Sequence, residues 1–200
     1  MSNTEMADSF SKDSEAELAK KLRRGDPSAI EEVYNAYFDR LYSLVFNQVG
    51  RDQATAEDIV QETFLSAIKS ASKFRGQSKL YTWLCSIAHH KTVDFYRRQG
   101  REAKHRNQPL DIDGIESAQI PDSEPLAPSL IESEETRQEV EQALFSLPPD
   151  YREVLILKYV EEMPASEISQ IMGRSPKSVE GLLTRARKAL RAMLAKQDKG

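Results

Sequence analysis

Two short helical segments joined at Gly173, between residues 163 and 194, constrain the fold of this chain more than any other stretch. The first segment has apolar residues at helical spacing and ends at Gly173, which reaches the left-handed conformation of a helix end without steric cost. Ser175 then suits the N-cap and Pro176 the first position of a second helix. The stretch therefore predicts a helix-turn-helix.

The second helix of this pair has two contrasting faces. One face is an apolar stripe, and the other is polar and mostly basic, formed by Lys177, Ser178, Glu180, Thr184, Arg185, Arg187, Lys188 and Arg191. A helix-turn-helix with a basic outer face is how a small domain places side chains in the major groove of DNA. The alternative is a surface hairpin whose charges are only solvated, but the cap, the proline and the basic face together favour DNA.

The net charge of −4 is unusual for a DNA-binding protein, but the charges are segregated along the chain. Residues 69–106 hold ten Lys or Arg against two acidic residues, and residues 174–196 hold seven against one. Residues 109–135 between them hold eight acidic residues and no basic one. Two basic blocks that flank an acidic tether are typical of a nucleic-acid binder with two contact sites.

What the sequence lacks excludes several classes of protein. No apolar run approaches the roughly 20 residues of a membrane span, and the N-terminus has no apolar core of a secretory signal. Cys85 is the single cysteine, which leaves no internal disulfide and no CxxC metal site. There is no phosphate-binding glycine motif and no set of nucleophile, base and acid. We therefore expect a cytoplasmic protein without membrane insertion that is not an enzyme and has no catalytic residues, metal site or cofactor.

The chain divides by composition into four parts. Residues 1–14 are polar and unpatterned and are expected to be a disordered tail. Residues 15–103 and 135–197 have helical periodicity, whereas residues 104–134 contain four prolines and the acidic excess. The sequence predicts an all-α protein of two small helical bundles joined by a flexible acidic linker, with the helix-turn-helix in the C-terminal bundle.

Helices are predicted in the first bundle over residues 15–24, 27–49, 52–70 and 80–98. We assign the many aromatic residues of the second helix to core packing, and Ile68 to the inward face of the third. The inward face of the fourth helix is expected to include Ile87 and Phe95. In the second bundle, Asp150 with Glu153 three residues later predicts a capping box.

Two surfaces of the first bundle are candidate binding sites. The third helix carries a compact acidic face formed by Glu57, Asp58, Gln61 and Glu62. The pattern alone predicts that this face is only solvated. The fourth helix interleaves aromatic and basic side chains, namely Tyr81, Trp83, His89, His90, Lys91, Tyr96, Arg97 and Arg98. Aromatic faces stack on unpaired bases, and cations bind the nucleic-acid backbone, so this helix is a candidate surface for single-stranded nucleic acid. Simple burial of Trp83 is an equally good alternative.

The order of four segments resembles the bacterial sigma factors of the extracytoplasmic-function type. The segments read AEDIVQETFLSAI, FRGQSKLYTWLCSIAHHKTVDFYRR, LPPDYREVLILKYVEEM and, in the helix-turn-helix, SVEGLLTRARKAL. The resemblance covers about residues 18–194. It implies sigma region 2 in residues 15–103 and sigma region 4 in residues 135–197, which bind core RNA polymerase and promoter DNA to direct transcription initiation. It also implies control by an anti-sigma factor.

The resemblance further implies roles for individual residues. The segment that docks on the polymerase core contains Asp58, Gln61 and Glu62. The loop that captures a flipped base of the minus-ten element corresponds to Arg75, Gln77, Ser78 and Lys79. The segment that melts and binds the minus-ten DNA corresponds to Trp83, His90, Lys91, Arg97 and Arg98. The helix that reads the minus-thirty-five element presents Lys177, Ser178, Glu180, Thr184, Arg185 and Arg187.

Four positions depart from the family pattern. His89 and His90 stand where Arg-Asn is frequent, and Pro164 stands where a Ser or Thr cap is common. Glu180 replaces a frequent lysine. Because a carboxylate can accept from cytosine but repels phosphate, Glu180 should alter specificity more than affinity.

Two other functions remain open from the residues. A stand-alone helix-turn-helix repressor or activator would use the C-terminal bundle without polymerase, but it would not need an acidic docking face beside an aromatic and basic helix. A protein-interaction module would use its basic helices to bind an acidic partner. Salt-dependent binding of DNA by the C-terminal bundle would exclude that module.

Overall fold

The structure, a computed structural model, describes residues 12–105 and 134–197 of the chain. Within these ranges the α-helices are α1 Lys12–Arg23, α2 Pro27–Gln48, α3 Gln53–Ser70, α4 Leu80–His105, α5 Glu134–Ser146, α6 Pro149–Leu155, α7 Ala165–Ile171 and α8 Pro176–Gln197. A 3₁₀ turn at Ala71–Lys73 follows α3, and a wider helical segment at Ile156–Val160 follows α6. The described residues form no strand, and the all-α prediction is confirmed.

The chain divides into two compact units, the first centred on α1 to α4 and the second on α5, α6 and α8. Helix α1 begins at Lys12, inside the stretch expected to be a disordered tail. The rest of that tail, residues 1–11, and most of the expected linker, residues 106–133, lie outside the described residues. No described helix combines the length and the apolar composition that crossing a bilayer requires.

Local capping sets where the helices of the first unit begin. The Asp26 carboxylate accepts from the hydroxyl of Ser28 at 2.8 Å and from its backbone N–H at 3.0 Å. These two hydrogen bonds, the hydroxyl first, hold the pKa of Asp26 below its usual value. Asp52 caps α3 in the same way by accepting from the Thr55 N–H at 2.9 Å. The predicted starts of both helices are confirmed.

The core of the first unit lies between α2, α3 and α4. Leu41, Leu44 and Val60 are fully buried there. Helix α4 is tied to α2 by the Tyr96 hydroxyl, which donates to the Gln48 carbonyl at 2.6 Å, and by the Thr92 hydroxyl, which donates to the Gln48 side chain at 3.4 Å. These contacts attach the middle of α4 to the C-terminal end of α2.

The assignment of the α2 aromatics to the core is confirmed for Tyr37 and wrong for Tyr34, and Phe38 and Tyr42 are intermediate. Tyr34 is 43% exposed, and Phe38, Tyr42 and Phe46 are only half-buried. Their rings form a ladder at four-residue spacing, with centroids 4.9 to 6.1 Å apart. A neighbouring stripe of α2 that includes Leu41 takes the interior instead. Because α2 is apolar on two adjacent faces, periodicity alone could not tell which one faces the core.

The inward assignment of Ile68 is wrong as well, whereas those of Ile87 and Phe95 hold only in part. Ile68 is 42% exposed, and Ile87 and Phe95 are half-buried. The buried face of α4 contains Cys85 and Thr92, two residue types that carry little hydrophobic signal. The Gln48 side chain accepts from the Thr92 hydroxyl, so this polar residue can lie on the buried face of α4.

In the second unit, α6 packs against α8, and α5 packs against α8 as well. Its buried side chains include Ala143, Leu147, Val154, Leu155, Leu157, Val179, Leu182, Ala186 and Leu190. The capping box predicted at Asp150 is wrong, because Pro148 occupies the N-cap and the helix starts at Pro149, two residues earlier than that cap implies. Asp150 forms an ion pair with Arg174 instead, and Glu153 is buried.

A buried arginine closes the end of α5. Arg152 is 7% exposed and donates to three carbonyls, those of Leu144 at 3.1 Å, Phe145 at 2.5 Å and Leu147 at 3.2 Å. Its guanidinium also lies over the Phe145 ring, 5.4 Å from the centroid. The last carbonyls of a helix have no intrahelical partner. Arg152 supplies a donor to each of these three carbonyls, of which the Leu144 carbonyl also accepts from the Leu147 N–H at 3.2 Å.

Candidate functional site

The acidic face of α3 is exposed, as the docking assignment requires. Asp58, Gln61 and Glu62 lie on one side of the helix because positions three and four apart are neighbours on a helix. The same side continues into Leu65, which is 57% exposed, and Ile68. We call these five residues the acidic–apolar face.

Sequence reasoning missed the apolar half of this face. The signal was present, because Leu65 and Ile68 follow Gln61 by about one and two helical turns and so lie on the same side of α3. Exposed aliphatic side chains that continue a charged face are typical of a protein-binding surface rather than of a solvated one. The arrangement favours docking over the solvated interpretation that the pattern alone had suggested.

One ion pair joins this face to α4. The Lys91 ammonium lies 3.0 Å from the Glu62 carboxylate, with the Lys91 side chain 31% and the Glu62 side chain 59% exposed. At such exposure a pair contributes less than about 1 kcal/mol to stability. The ion pair matters for its position, because it joins Glu62, which is assigned to polymerase docking, to Lys91, which is assigned to DNA binding.

Trp83 is neither fully buried nor fully exposed. It is half-buried, and its ring packs on the buried ring of Phe74, with centroids 4.9 Å apart and planes tilted by 34°. Phe74 directly precedes the candidate base-capture loop, which we define as residues 75–79. One part of Trp83 is therefore held against the start of this loop while another part remains accessible.

The capture loop is polar and accessible. Arg75, Gln77 and Lys79 are exposed, and Ser78 is half-buried. Gly76 has a φ of +69°, a left-handed conformation that strains residues with a Cβ, so the turn of the loop depends on this glycine. The loop ends where α4 begins at Leu80.

The remaining candidates on α4 form a stripe that starts at Trp83. His90 and Arg97 follow Trp83 at seven-residue intervals, which is about two helical turns, so all three share a side of the helix. Lys91 and Arg98 lie next to that stripe. His90, Arg97 and Arg98 are exposed. Among the described residues, no three potential metal ligands come together.

The start of α8 has the predicted geometry. Gly173 has a φ of +61°, and the Ser175 hydroxyl accepts from the Ser178 N–H at 3.2 Å, which confirms the helix end and the N-cap. Lys177, Glu180 and Arg185 are exposed, whereas Ser178, Thr184 and Arg187 are half-buried. The apolar stripe of the helix, from Val179 to Leu190, is buried. The structure therefore leaves all six predicted recognition residues at least partly accessible.

Two details of α8 constrain its arginines. Arg187 donates to the Thr184 hydroxyl at 3.3 Å, so the two side chains act together. A Cβ at Gly181 would lie 3.4 Å from the Arg185 guanidinium, which therefore passes over the glycine. Gly181 is a residue that sequence reasoning missed, and its signal was a glycine inside a helix, where it costs about 1 kcal/mol relative to alanine.

Comparisons with known proteins agree on both units. A family model described as Sigma-70 region 2 matches residues 33–102, and one described as Sigma-70, region 4 matches residues 137–190. RNA polymerase sigma factor YlaC of Bacillus subtilis (strain 168) is 31% identical over 169 residues, which is 84% of this chain and 93% of YlaC. ECF RNA polymerase sigma factor SigW of the same organism is 30% identical over 176 residues, covering 88% of this chain and 94% of SigW.

Solved structures share the fold. CnrH, solved in complex with the cytosolic domain of CnrY, superposes with a TM-score of 0.64 and is 24% identical, over 91% of this chain and 97% of CnrH. The sigma factor RpoE from Bartonella quintana, solved with the anti-sigma factor NepR, gives a TM-score of 0.61 at 24% identity, over 82% of this chain and 96% of that one.

Proposed function

Since this chain belongs to the extracytoplasmic-function group of RNA polymerase sigma factors, which direct the polymerase to promoters, we propose how its parts divide that work. Residues 15–103 act as the region 2 domain that binds the polymerase core and opens the minus-ten element. Residues 135–197 act as the region 4 domain that reads the minus-thirty-five element, and residues 104–134 link the two. The catalytic step belongs to the polymerase, and the chain works in the cytoplasm, where the polymerase acts.

One observation carries this division. The first unit presents the acidic–apolar face on α3 next to the stripe on α4 that begins at Trp83, and the Glu62–Lys91 ion pair joins them. A stand-alone repressor or activator would need only the helix-turn-helix. Two additional surfaces, one suited to a protein and one to unpaired DNA, support a factor that opens promoters together with polymerase.

Run-off transcription with purified core polymerase on genomic fragments tests the proposal. Adding the chain should produce discrete transcripts that core polymerase alone does not make. Sequence-specific binding of fragments by the chain alone, with no new transcript on adding polymerase, would support the stand-alone regulator instead.

We extend the partners to an anti-sigma factor. RpoE was solved with the anti-sigma factor NepR, and CnrH was solved with the cytosolic domain of CnrY. The likeness of fold supports a similar protein partner for this chain. Affinity capture with the full chain would identify this partner. The captured protein is then tested for whether it blocks run-off transcription.

Alanine at Asp58 and Leu65 together is expected to weaken binding of core polymerase by about tenfold or more, because a central interface residue contributes roughly 2 kcal/mol or more. Thermal unfolding should change little, since both side chains are exposed. The measurement is a competition assay against a labelled sigma factor. Glu31→Ala, an exposed acidic residue on α2, is the matched control. Equal affinity of the double variant and this control would remove the acidic–apolar face from the docking site.

Trp83→Ala is expected to bind core polymerase normally but to reduce promoter opening by about 10- to 100-fold, because stacking contributes roughly 1–3 kcal/mol per base. Permanganate reactivity of promoter thymines measures the opening. Trp83→Phe keeps a ring against Phe74 and should retain much of the activity. If opening by the alanine variant equals that of the parent, Trp83 serves only to pack on Phe74.

A further inference from the structure

Helix α1 makes a contact that no family model or sequence pattern assigned. The Glu15 carboxylate accepts a hydrogen bond from the backbone N–H of Leu80, with oxygen and nitrogen 2.5 Å apart and 65 residues between them in sequence. Leu80 is the first residue of α4 and is fully buried. Glu15 itself precedes the region 2 family match, which starts at residue 33.

The contact gives the first N–H of α4 an acceptor from a distant helix. The first N–H groups of a helix have no intrahelical partner and are usually capped by a side chain at the preceding residue. Here the preceding residue is Lys79, whose carbonyl accepts the first helical bond from the Trp83 N–H at 3.1 Å. A lysine side chain has no acceptor. The carboxylate of Glu15 takes that place and also suits the positive end of the helix dipole.

Helix α1 is itself firmly held. Leu18 and Leu22, one turn apart, are 2% and 3% exposed, and the helix packs on α2. It also packs on the 3₁₀ turn Ala71–Lys73, which lies just before Phe74 and the capture loop. Helix α1 therefore contacts the chain before the loop, at the 3₁₀ turn, and after it, at Leu80.

We propose that Glu15 is a positioning residue for promoter opening. Its bond to Leu80 fixes the start of α4 and of the Trp83 stripe, while the packing of α1 on the 3₁₀ turn holds the chain before the capture loop. Residues 75–79 span a short distance between two anchored points, so their backbone conformation depends on where α4 starts. Trp83 is bonded through its N–H to Lys79, one residue before the capped amide. Loss of the cap would let the first turn of α4 fray and would displace Trp83 and the loop together.

The inference rests on the proposed role of α4, and its test compares three single substitutions in full-length chain bound to saturating core polymerase. Glu15→Ala removes the acceptor, Glu15→Gln retains an acceptor oxygen without the charge, and Glu17→Ala removes an exposed carboxylate from the same helix. We expect promoter opening, measured by permanganate reactivity, to fall about tenfold in Glu15→Ala, a size typical of a lost charge-assisted hydrogen bond. Glu15→Gln should keep most of the activity, and Glu17→Ala should match the parent.

Two further readouts separate positioning from a general loss of structure. Affinity for core polymerase should be the same for all variants, and a template with a pre-opened minus-ten region should restore transcription by Glu15→Ala. Unchanged opening in Glu15→Ala overturns the proposal. So does a loss of transcription that a pre-opened template fails to restore, and so does an equally large loss of affinity for core polymerase. The Trp83→Ala variant is run in parallel. A defect in Trp83→Ala with none in Glu15→Ala overturns only this inference, whereas normal opening in both overturns the role of α4.

Discussion

Replacing both Arg185 and Arg187 with alanine is expected to abolish transcription from a cognate promoter. Both residues lie on the accessible side of α8, opposite the buried stripe that anchors the helix. A good base contact discriminates by about 1–3 kcal/mol, and a phosphate contact adds affinity at every sequence. Loss of two such contacts corresponds to about 100-fold or more in promoter binding if each is worth roughly 1.4 kcal/mol.

The measurement is run-off transcription with core polymerase, with promoter binding followed at several salt concentrations. The matched control is the double alanine variant of Arg23 and Arg24, which removes the same charge from exposed positions near the end of α1. A residue that contacts phosphate should reduce the salt slope by about one when it is removed, whereas a residue that reads a base should relax specificity at one position. Normal transcription by the Arg185 and Arg187 variant would show that α8 does not read this DNA.

Arg152→Ala is expected to unfold the C-terminal unit. The substitution removes a side-chain donor from one buried and two partly buried carbonyls, and it removes the guanidinium from the Phe145 ring. Removing a charged donor from buried partners costs about 3 kcal/mol or more. A unit of about 60 residues has only roughly 3–9 kcal/mol of stability in total. The variant should therefore lose minus-thirty-five recognition while the first unit stays folded.

The single tryptophan makes this separation measurable. Trp83 lies in the first unit, so its fluorescence during urea unfolding reports that unit alone, while amide hydrogen exchange of α6 and α8 reports the second. Arg152→Lys, which cannot form the planar fork, should give an intermediate loss. Arg185→Ala, which is exposed in the same unit, should leave exchange unchanged. Parental protection of α6 and α8 in Arg152→Ala would mean that Arg152 is dispensable for folding.

Local signals accounted for most of the fold. Asp26, Asp52 and Ser175 each cap a helix whose start the sequence predicted, because an acceptor side chain next to a helical pattern is a signal contained in a few residues. The predicted cap at Asp150 failed for an equally local reason. Two consecutive prolines already determine where that helix starts, and proline at the first position needs no N–H partner.

The remaining errors concern which side of a helix is buried. Helix α2 has two adjacent apolar faces, and its aromatic ladder occupies the more accessible one. Ile68 on α3 was assigned to the core by its hydrophobicity and is exposed, although its spacing from the acidic residues indicated the outer face. Burial depends on the neighbouring helices, and the Glu15–Leu80 contact spans 65 residues, beyond the reach of any local pattern. The candidate residues on α3, α4 and α8 were identified by charge and motif order rather than by packing, and their roles stay predictions.

The ion pair between Glu62 and Lys91 matters to anyone who builds hybrid transcription factors from this family. A hybrid made by joining α3 of one parent to α4 of another takes one partner of this pair from each. If residue 62 of one parent and residue 91 of the other do not carry opposite charges, the hybrid has two like charges or one unpaired charge at this contact. Positions 62 and 91 therefore belong to one exchangeable block, and a cut for recombination is better placed before α3 or after α4 than in the loop between them.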